Sequence, residues 1–500
     1  MVIKSENHQM QLMVRELPAD LETPISIYLK LKGNGASFLL ESVCGGEQVA
    51  RYSFIGIQPT RAFVLRDDVF NEIGSTYTIT HPLHGMDPLR FLQAIMPPVS
   101  DFHHPNLPRF KGGLVGYLSY EMVRYFEPSL NLIPHPTLPE AIFFQADTLI
   151  AFDHAFNKLI ILSNIPQDSP DDSAVMHQFE LLVQEIEHKL YQPLPPENIS
   201  SRMVPEISAT QSNMSEDDFI QSVLKAKEHI LDGDIFQVVL SQRFERTSYA
   251  NPFEIYRTLR QLNPSPYMFF FDFDKLAGEP NLFLIGASPE MHVRFDQQKA
   301  IIRPIAGTRR RGITPQEDEV LAQELLNDAK ERAEHIMLVD LARNDLGRTC
   351  EIGSVRVSEL MGIERYSHVM HIVSQVEGQL ATQYNAFDLL RTTFPAGTVS
   401  GAPKIRAMQI IQDLEKTPRG LYAGAVGYIS FDGTMDTCIN IRSLIVQGNK
   451  VSFQSGAGIV ADSDPQMEYQ ETLNKARAME QTIILAENHQ TGENNVDRYR

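Results

Sequence analysis

Between residues 236 and 465 the chain reads as strands, then helices, then strands again, and this order limits its fold more than any single motif. Apolar, strand-like runs occupy 236–243, 267–273, 282–287, 291–295 and 300–304. Helical periodicity takes over at 317–346 and 386–393. Strand-like runs return at 423–431, 437–446 and 451–460, ahead of a terminal helix from Pro465. Segregated runs of this kind predict an α+β fold rather than an alternating parallel one.

Five hundred residues exceed the usual size of one hydrophobic core, so two domains or one large composite are expected. Residues 1–191 carry strand-like runs at 36–40, 62–65, 148–152 and 158–162, closed by a periodic helix at 174–190. The Pro-, Ser- and Glu-rich stretch 192–213 has no periodicity and reads as a linker. Ser215-Glu216-Asp217-Asp218 then opens the second half, 214–487, as a capping box ahead of a helix to about residue 232. The polar tail, 488–500, is expected to fray.

With 44 basic against 63 acidic residues the chain carries −19, which argues against nucleic acid and anionic membrane surfaces as partners. A small anionic substrate would need locally placed Arg, Lys or metal. Cys44, Cys350 and Cys438 are too few and too scattered for a disulfide framework or a zinc site. That usage, and an N-terminus without the apolar core of a signal peptide, fit a cytoplasmic protein.

The stretch 329–348, A-K-E-R-A-E-H-I-M-L-V-D-L-A-R-N-D-L-G-R, reads as a helix with Asp328 as N-cap and Gly347 as stop. Its predicted apolar face is Ala329, Ala333, Ile336, Met337, Val339, Leu341 and Leu346. Glu331 and Glu334 lie one turn apart on one face, and Glu468 and Glu471 repeat the spacing on the terminal helix. Four carboxylates on two helices suit one hard divalent cation such as Mg2+. They also suit two solvated helix faces, the commoner case for glutamates at this spacing, with Glu331 completing a capping box on Asp328. Spacing alone leaves both open.

Eight segments of the second half, in order, resemble the chorismate-binding enzymes, and most closely the anthranilate synthase component I family. They are Ile285-Gly286-Ala287-Ser288-Pro289-Glu290, Arg303-Pro304-Ile305-Ala306-Gly307-Thr308-Arg309, 330–348, 395–404, Arg419-Gly420-Leu421-Tyr422, 436–442, Gly456-Ala457-Gly458 and 468–475. The first half is more loosely similar, through Leu39-Leu40-Glu41-Ser42 and Gly112-Gly113-Leu114-Val115-Gly116-Tyr117. The resemblance implies two large antiparallel sheets packed as a sandwich with helices outside. It implies Mg2+ held by Glu334 and Glu471, with Glu331 and Glu468 in support. It makes Glu290 the general acid toward a departing ring hydroxyl and places His371 near that hydroxyl. Thr308, Thr398, Tyr422, Arg442, Gly456, Ala457, Gly458 and Lys475 become substrate-binding residues. A tryptophan inhibitor site is implied at Glu41, Ser42, Arg51, Pro264, Ser265, Tyr267, Met268 and Cys438, making 1–191 a regulatory part and 214–487 the catalytic domain.

Two positions separate members of the family. Relatives that add water to chorismate have a lysine base where Gln237 stands, and glutamine cannot deprotonate water at neutral pH. Aminodeoxychorismate synthases have a nucleophilic lysine where Ala306 stands. The resemblance therefore implies direct attack by ammonia, giving anthranilate and pyruvate in the first step of tryptophan biosynthesis. Residues 394–404 fail as a phosphate loop, with G-x-x-x-G-x-x-K spacing and Ile405 where Ser or Thr would follow. No G-x-C-x-G nucleophile of a glutamine amidotransferase is present, so a separate glutaminase subunit is implied. The rival readings are an aminodeoxychorismate synthase component and a tryptophan-sensing subunit without turnover.

Overall fold

A computed structural model describes residues 2–4, 10–32, 37–43, 51–57, 59–96, 106–166, 172–195, 209–274, 276–366 and 369–491. Two antiparallel sheets dominate, with thirteen and twelve strands among the described residues. The first runs Val2–Lys4, Met10–Pro18, Lys158–Pro166, Thr148–Asp153, Tyr52–Ile57, Ser37–Glu41, then Tyr267–Asp272, Leu282–Ser288, Ser443–Gln447, Lys450–Ile459, Gln237–Thr247 and Gln211–Ser212. The second runs Ile305–Arg310, Val369–Gln379, Lys299–Ile302, Met291–Asp296, Met435–Ile439, Ala425–Ser430, then Gly113–Leu118, Ala141–Ala146, Arg61–Arg66, Val69–Gly74 and Thr78–Pro82. In each sheet the two halves of the chain join edge to edge, at Leu39 against Phe270 in the first and Gly116 against Gly427 in the second.

Period-two patterning explains the layers. Leu12, Val14, Ala62, Val64, Ile142, Phe144, Ile160 and Leu162 face one another between the sheets. Their neighbours point outward: Met13, Leu159 and Ile161 pack under helices Pro24–Leu31, Asp172–Leu190, Pro252–Leu262 and Pro465–Thr491. Phe63, Leu65 and Phe143 share a cluster with Pro88–Ile95, Ala329–Gly347 and Ala386–Thr393. Strands buried on both faces read as apolar runs rather than alternations.

Several expectations need correcting. The single strand at 437–446 is two, Met435–Ile439 and Ser443–Gln447, in different sheets. Strands Arg356–Arg365 and Val369–Gln379 and helix Lys404–Leu414 fall where none was expected. The helical run 317–346 divides at Asp328, the expected N-cap, into Pro315–Asn327 and Ala329–Gly347. The predicted apolar face of the latter is rotated. Its buried residues are His335, Leu338, Val339, Ala342, Asp345 and Leu346, while Ala329, Ala333 and Ile336 are exposed. Two polar residues sit on the inner face because each has a partner, His335 bonding Ser374 and Asp345 bonding Lys404. The terminal helix continues to Thr491, into the tail expected to fray. Cys44, residues 196–208 of the expected linker and residues 492–500 of the tail lie outside the described residues.

Candidate active site

The chain changes sheets at Pro289, between Leu282–Ser288 and Met291–Asp296, and changes back at 440–442. These two corners touch: Ala287 N–H donates to the Arg442 carbonyl at 3.0 Å and Ile439 N–H to the Glu290 carbonyl at 3.1 Å. Arg442 turns its corner with φ 53°, a left-handed conformation that a non-glycine residue adopts only when its surroundings hold it there. Glu290 and Arg442 thus project from one rigid seam.

Glu290 is 5% exposed, and its Oε1 accepts from the Thr398 hydroxyl at 2.7 Å. Burial pushes its carboxyl up to about 8, against the opposing pull of the Thr398 hydroxyl and the Ile305 N–H. At neutral pH this group is an acid with a proton to give.

Strand Lys450–Ile459 lies on Gln237–Thr247, pairing Gly456 with Ser241, Ala457 with Leu240 and Gly458 with Val239. Side chains fill the places where the glycines lack Cβ atoms. A Cβ at Gly458 would stand 2.6 Å from Gln237 Nε2, and one at Gly456 2.6 Å from Tyr422 Oη. Gln237 Nε2 reaches on to donate to Glu334 Oε1 at 3.3 Å. Burial raises the Tyr422 phenol to about 12, so it stays protonated as a donor. Lys475 Nζ bonds the Gly456 carbonyl at 2.9 Å and Glu471 Oε1 at 2.6 Å, and Arg442 Nη1 donates to the Lys475 carbonyl at 3.1 Å.

The carboxylates feel one another. Burial, then the charge of Glu331, raises the Glu334 carboxyl, with Glu471 adding to it and the Gln237 amide opposing. Glu468 is raised by burial and by Glu471, against a hydrogen bond from Ser463. Glu331 bonds Arg309 Nη1 at 3.2 Å instead of closing a capping box, and Asp328 caps the helix alone through the N–H groups of Lys330 and Glu331. Among the described residues no three His, Cys, Asp or Glu side chains already converge as a cation cage.

Beside them, Gly307 takes φ 67° at a register shift between Ala306 and Thr308. Its carbonyl accepts from His371 Nδ1 at 3.0 Å, with Thr308 Oγ1 3.1 Å from the same nitrogen. A carbonyl only accepts, so Nδ1 carries the proton and Nε2 keeps a free lone pair. Burial lowers the imidazole's pKa, favouring this neutral form.

Away from these groups, a cavity of about 580 Å³ opens between the sheets. Glu41, Ser42, Arg51, Tyr267, Met268 and Cys438 line it; Pro264 and Ser265 do not. The Ser265 carbonyl instead accepts from Val43 N–H at 3.2 Å. Glu41 takes two N–H groups of Arg260, at 2.9 and 3.2 Å. Arg294 and Asp436, which sequence reasoning did not single out as cavity residues, pair at 2.8 Å on its wall, with Tyr267 donating to Asp436 at 2.9 Å. Arg309 was also passed over as a partner of Glu331, because only the strand's approach to helix Ala329–Gly347 joins them.

Residues 37–481 match the family described as chorismate binding enzyme. The chain is 45% identical to anthranilate synthase component 1 of Aquifex aeolicus, covering 97% of both chains. It is 43% identical to the protein of the same name in Acetivibrio thermocellus, covering 96% of this chain and 97% of that one. Its fold matches the crystal structure of anthranilate synthase component I from Streptococcus pneumoniae, with a TM-score of 0.74, 36% identity, and 93% and 98% of the two chains covered. The menaquinone-specific isochorismate synthase MenF of Escherichia coli shares the fold at 19% identity, TM-score 0.68 and 96% coverage of each chain. The chain belongs to the chorismate-binding enzymes, among the anthranilate synthase component 1 sequences.

Proposed function

We propose that this chain is the synthase subunit of anthranilate synthase, converting chorismate and ammonia to anthranilate and pyruvate. Ammonia attacks ring carbon C2, Glu290 protonates the departing ring hydroxyl as water, and loss of pyruvate then restores the aromatic ring. The observation that carries this choice within the family is Gln237. Its amide, hydrogen-bonded to Glu334, occupies the place where water-adding relatives need a base. Ala306 supports the same reading by offering no nucleophile.

Mg2+ is the cofactor of this reading: Glu334 and Glu471 would hold it, with Glu331 and Glu468 in support. When bound it supplies positive charge to the ring carboxylate and withdraws electron density from the ring. The donor set fits. Partly buried carboxylates that repel one another gain from a dication, and Mg2+ keeps several waters while binding through one or two carboxylates and its substrate. Arg442, Lys475 and the Tyr422 hydroxyl take the second carboxylate, and the backbone of Gly456, Ala457 and Gly458 lets it approach. Thr308 and Thr398 flank the reacting hydroxyl with His371.

Tryptophan is the inhibitor of this reading and occupies the cavity beside Glu41, Ser42 and Met268, favouring a conformation with a poorly formed catalytic seam. Six of the eight residues assigned to the inhibitor line that cavity and support the assignment, while Pro264 and Ser265 act through the loop behind. We divide the chain into a regulatory part, 1–191, a linker, 192–213, and a catalytic domain, 214–487. The cytoplasm is its compartment on cysteine usage, and among the described residues no helix is long and apolar enough to cross a membrane.

Ammonia reaches the site from a glutaminase partner. Cys350 and Cys438 are buried with thiols raised by that burial, unlike an exposed nucleophile. The test is the nitrogen source. With chorismate and Mg2+, the purified chain forms anthranilate from ammonium salt and none from glutamine; turnover with glutamine alone overturns the two-subunit reading, and no turnover with either overturns the enzyme.

A further inference from the structure

Tyr422 stands in the turn 419–424, where Gly420 takes φ 64° freely and Ala423 takes φ 64° at a steric cost. What holds that turn comes from the other half of the chain. Glu121, in the short helical turn Tyr120–Tyr125, is 1% exposed. Its Oε1 accepts two consecutive backbone N–H groups, of Arg419 at 2.7 Å and Gly420 at 3.1 Å. Tyr120 N–H donates to the Gly420 carbonyl at 2.8 Å, closing the clasp from the other side. On the far side of the turn, Asn440 Nδ2 donates to the Leu421 carbonyl at 2.8 Å and the Asn440 carbonyl accepts from Ala423 N–H at 2.9 Å, joining it to the Arg442 corner.

Few arrangements justify sealing a carboxyl in a protein interior. Burial pushes Glu121 up to about 7, opposed by the backbone N–H groups of Glu121 itself, Gly420 and Arg419 and by the Arg419 charge. Arg419 is committed elsewhere, to Glu415 and to the carbonyls of Val399 and Val239. What Glu121 adds is therefore the fixed direction of two peptide units, those of Arg419 and Gly420, just before Tyr422.

We infer that Glu121 is a positioning residue for substrate binding, holding the Tyr422 turn in place from the first half of the chain. This rests on Tyr422 being a substrate ligand. If it holds, the catalytic domain's own turn is incomplete without residues 120–121, and a carboxylate that never meets chorismate governs its affinity.

The experiment is steady-state kinetics on full-length variants. Glu121→Met keeps the volume and removes the acceptor; Glu121→Gln keeps an acceptor oxygen. Glu121→Met raises the KM for chorismate about tenfold with kcat within about threefold, as loss of uniform binding does, and Glu121→Gln restores KM to within about twofold. In a Tyr422→Phe background, Glu121→Met adds nothing further. Should Glu121→Met not fold, Glu121→Asp, which withdraws the oxygen by about one bond, serves with the same expectation. If Tyr422→Phe alone leaves KM unchanged, the substrate reading of Tyr422 falls and this inference with it. If Tyr422→Phe raises KM but Glu121→Met does not, or adds its full effect on top, the substrate reading stands and the positioning role is overturned.

Discussion

The amide of Ile439 donates to the carbonyl of Glu290 at 3.1 Å, tying the corner that carries the acid to the corner that carries Arg442. Each corner passes from one sheet to the other, so the groups proposed to act on the leaving hydroxyl and to hold the substrate carboxylate share one backbone seam. Such sites keep their geometry because packed sheets on both sides oppose their movement.

Glu290 sets the alkaline behaviour. With its carboxyl near 8, the protonated form dominates below that pH, and kcat/KM falls about tenfold per unit above it. Glu290→Gln removes the transferable proton and lowers kcat by about 10²–10⁴-fold with little change in thermal stability. Thr398 donates to the carboxylate and so favours it; Thr398→Val therefore moves the alkaline limb to higher pH. A pH–rate profile of the three proteins checks this, and a limb that moves downward in Thr398→Val contradicts it.

Gly458 faces the amide of Gln237, the far end of a side chain rather than a backbone. Gly458→Ala should cost about 1–3 kcal/mol in a urea melt, as modest overpacking does. kcat/KM should fall as well, tenfold or more, because the Gln237–Glu334 bond is displaced. Equal, small losses in both would mean that Gln237 does not order the site.

The cation is tested by removal and by titration. EDTA abolishes activity and Mg2+ restores it; Glu334→Ala and Glu471→Ala need about a hundredfold more metal or fail, while Glu331→Gln costs about tenfold. Calorimetry should show weak Mg2+ binding that tightens when chorismate is present, because Mg2+ sites of this kind are completed by the substrate. Binding as tight without chorismate argues for an all-protein site.

Tryptophan, if it occupies the 580 Å³ cavity, raises the melting temperature, by about 2.7 kcal/mol of stabilisation at a hundredfold excess over Kd. Ser42→Phe fills part of that space and removes both the shift and the inhibition. Unchanged inhibition in Ser42→Phe moves the site elsewhere.

How much of this was legible in the sequence follows from what each signal measures. Asp328 and the glutamate pairs were readable because capping and helical spacing are local. The apolar face of 329–347 was misplaced because His335 and Asp345 turn inward to partners 39 and 59 residues away, which no periodicity reveals. The corner at 440–442 was hidden because Asn440-Ile441-Arg442 carries no Gly or Pro to mark a turn, and the change of sheet shows in the φ of Arg442. Strand Arg356–Arg365 escaped because none of its residues is buried and its pairing slips register twice. Glu121 and Arg309 gave no local sign of their roles, since both act on backbone or side chains brought near only by the sheets.

The most direct test of the account is product stoichiometry. Chorismate is supplied to the purified chain with Mg2+ and ammonium, and each product is separated and identified. The account predicts one anthranilate and one pyruvate for each chorismate consumed, with no accumulating isochorismate or aminodeoxychorismate. Isochorismate as product would contradict the reading of Gln237, and aminodeoxychorismate without pyruvate would contradict the reading of Ala306.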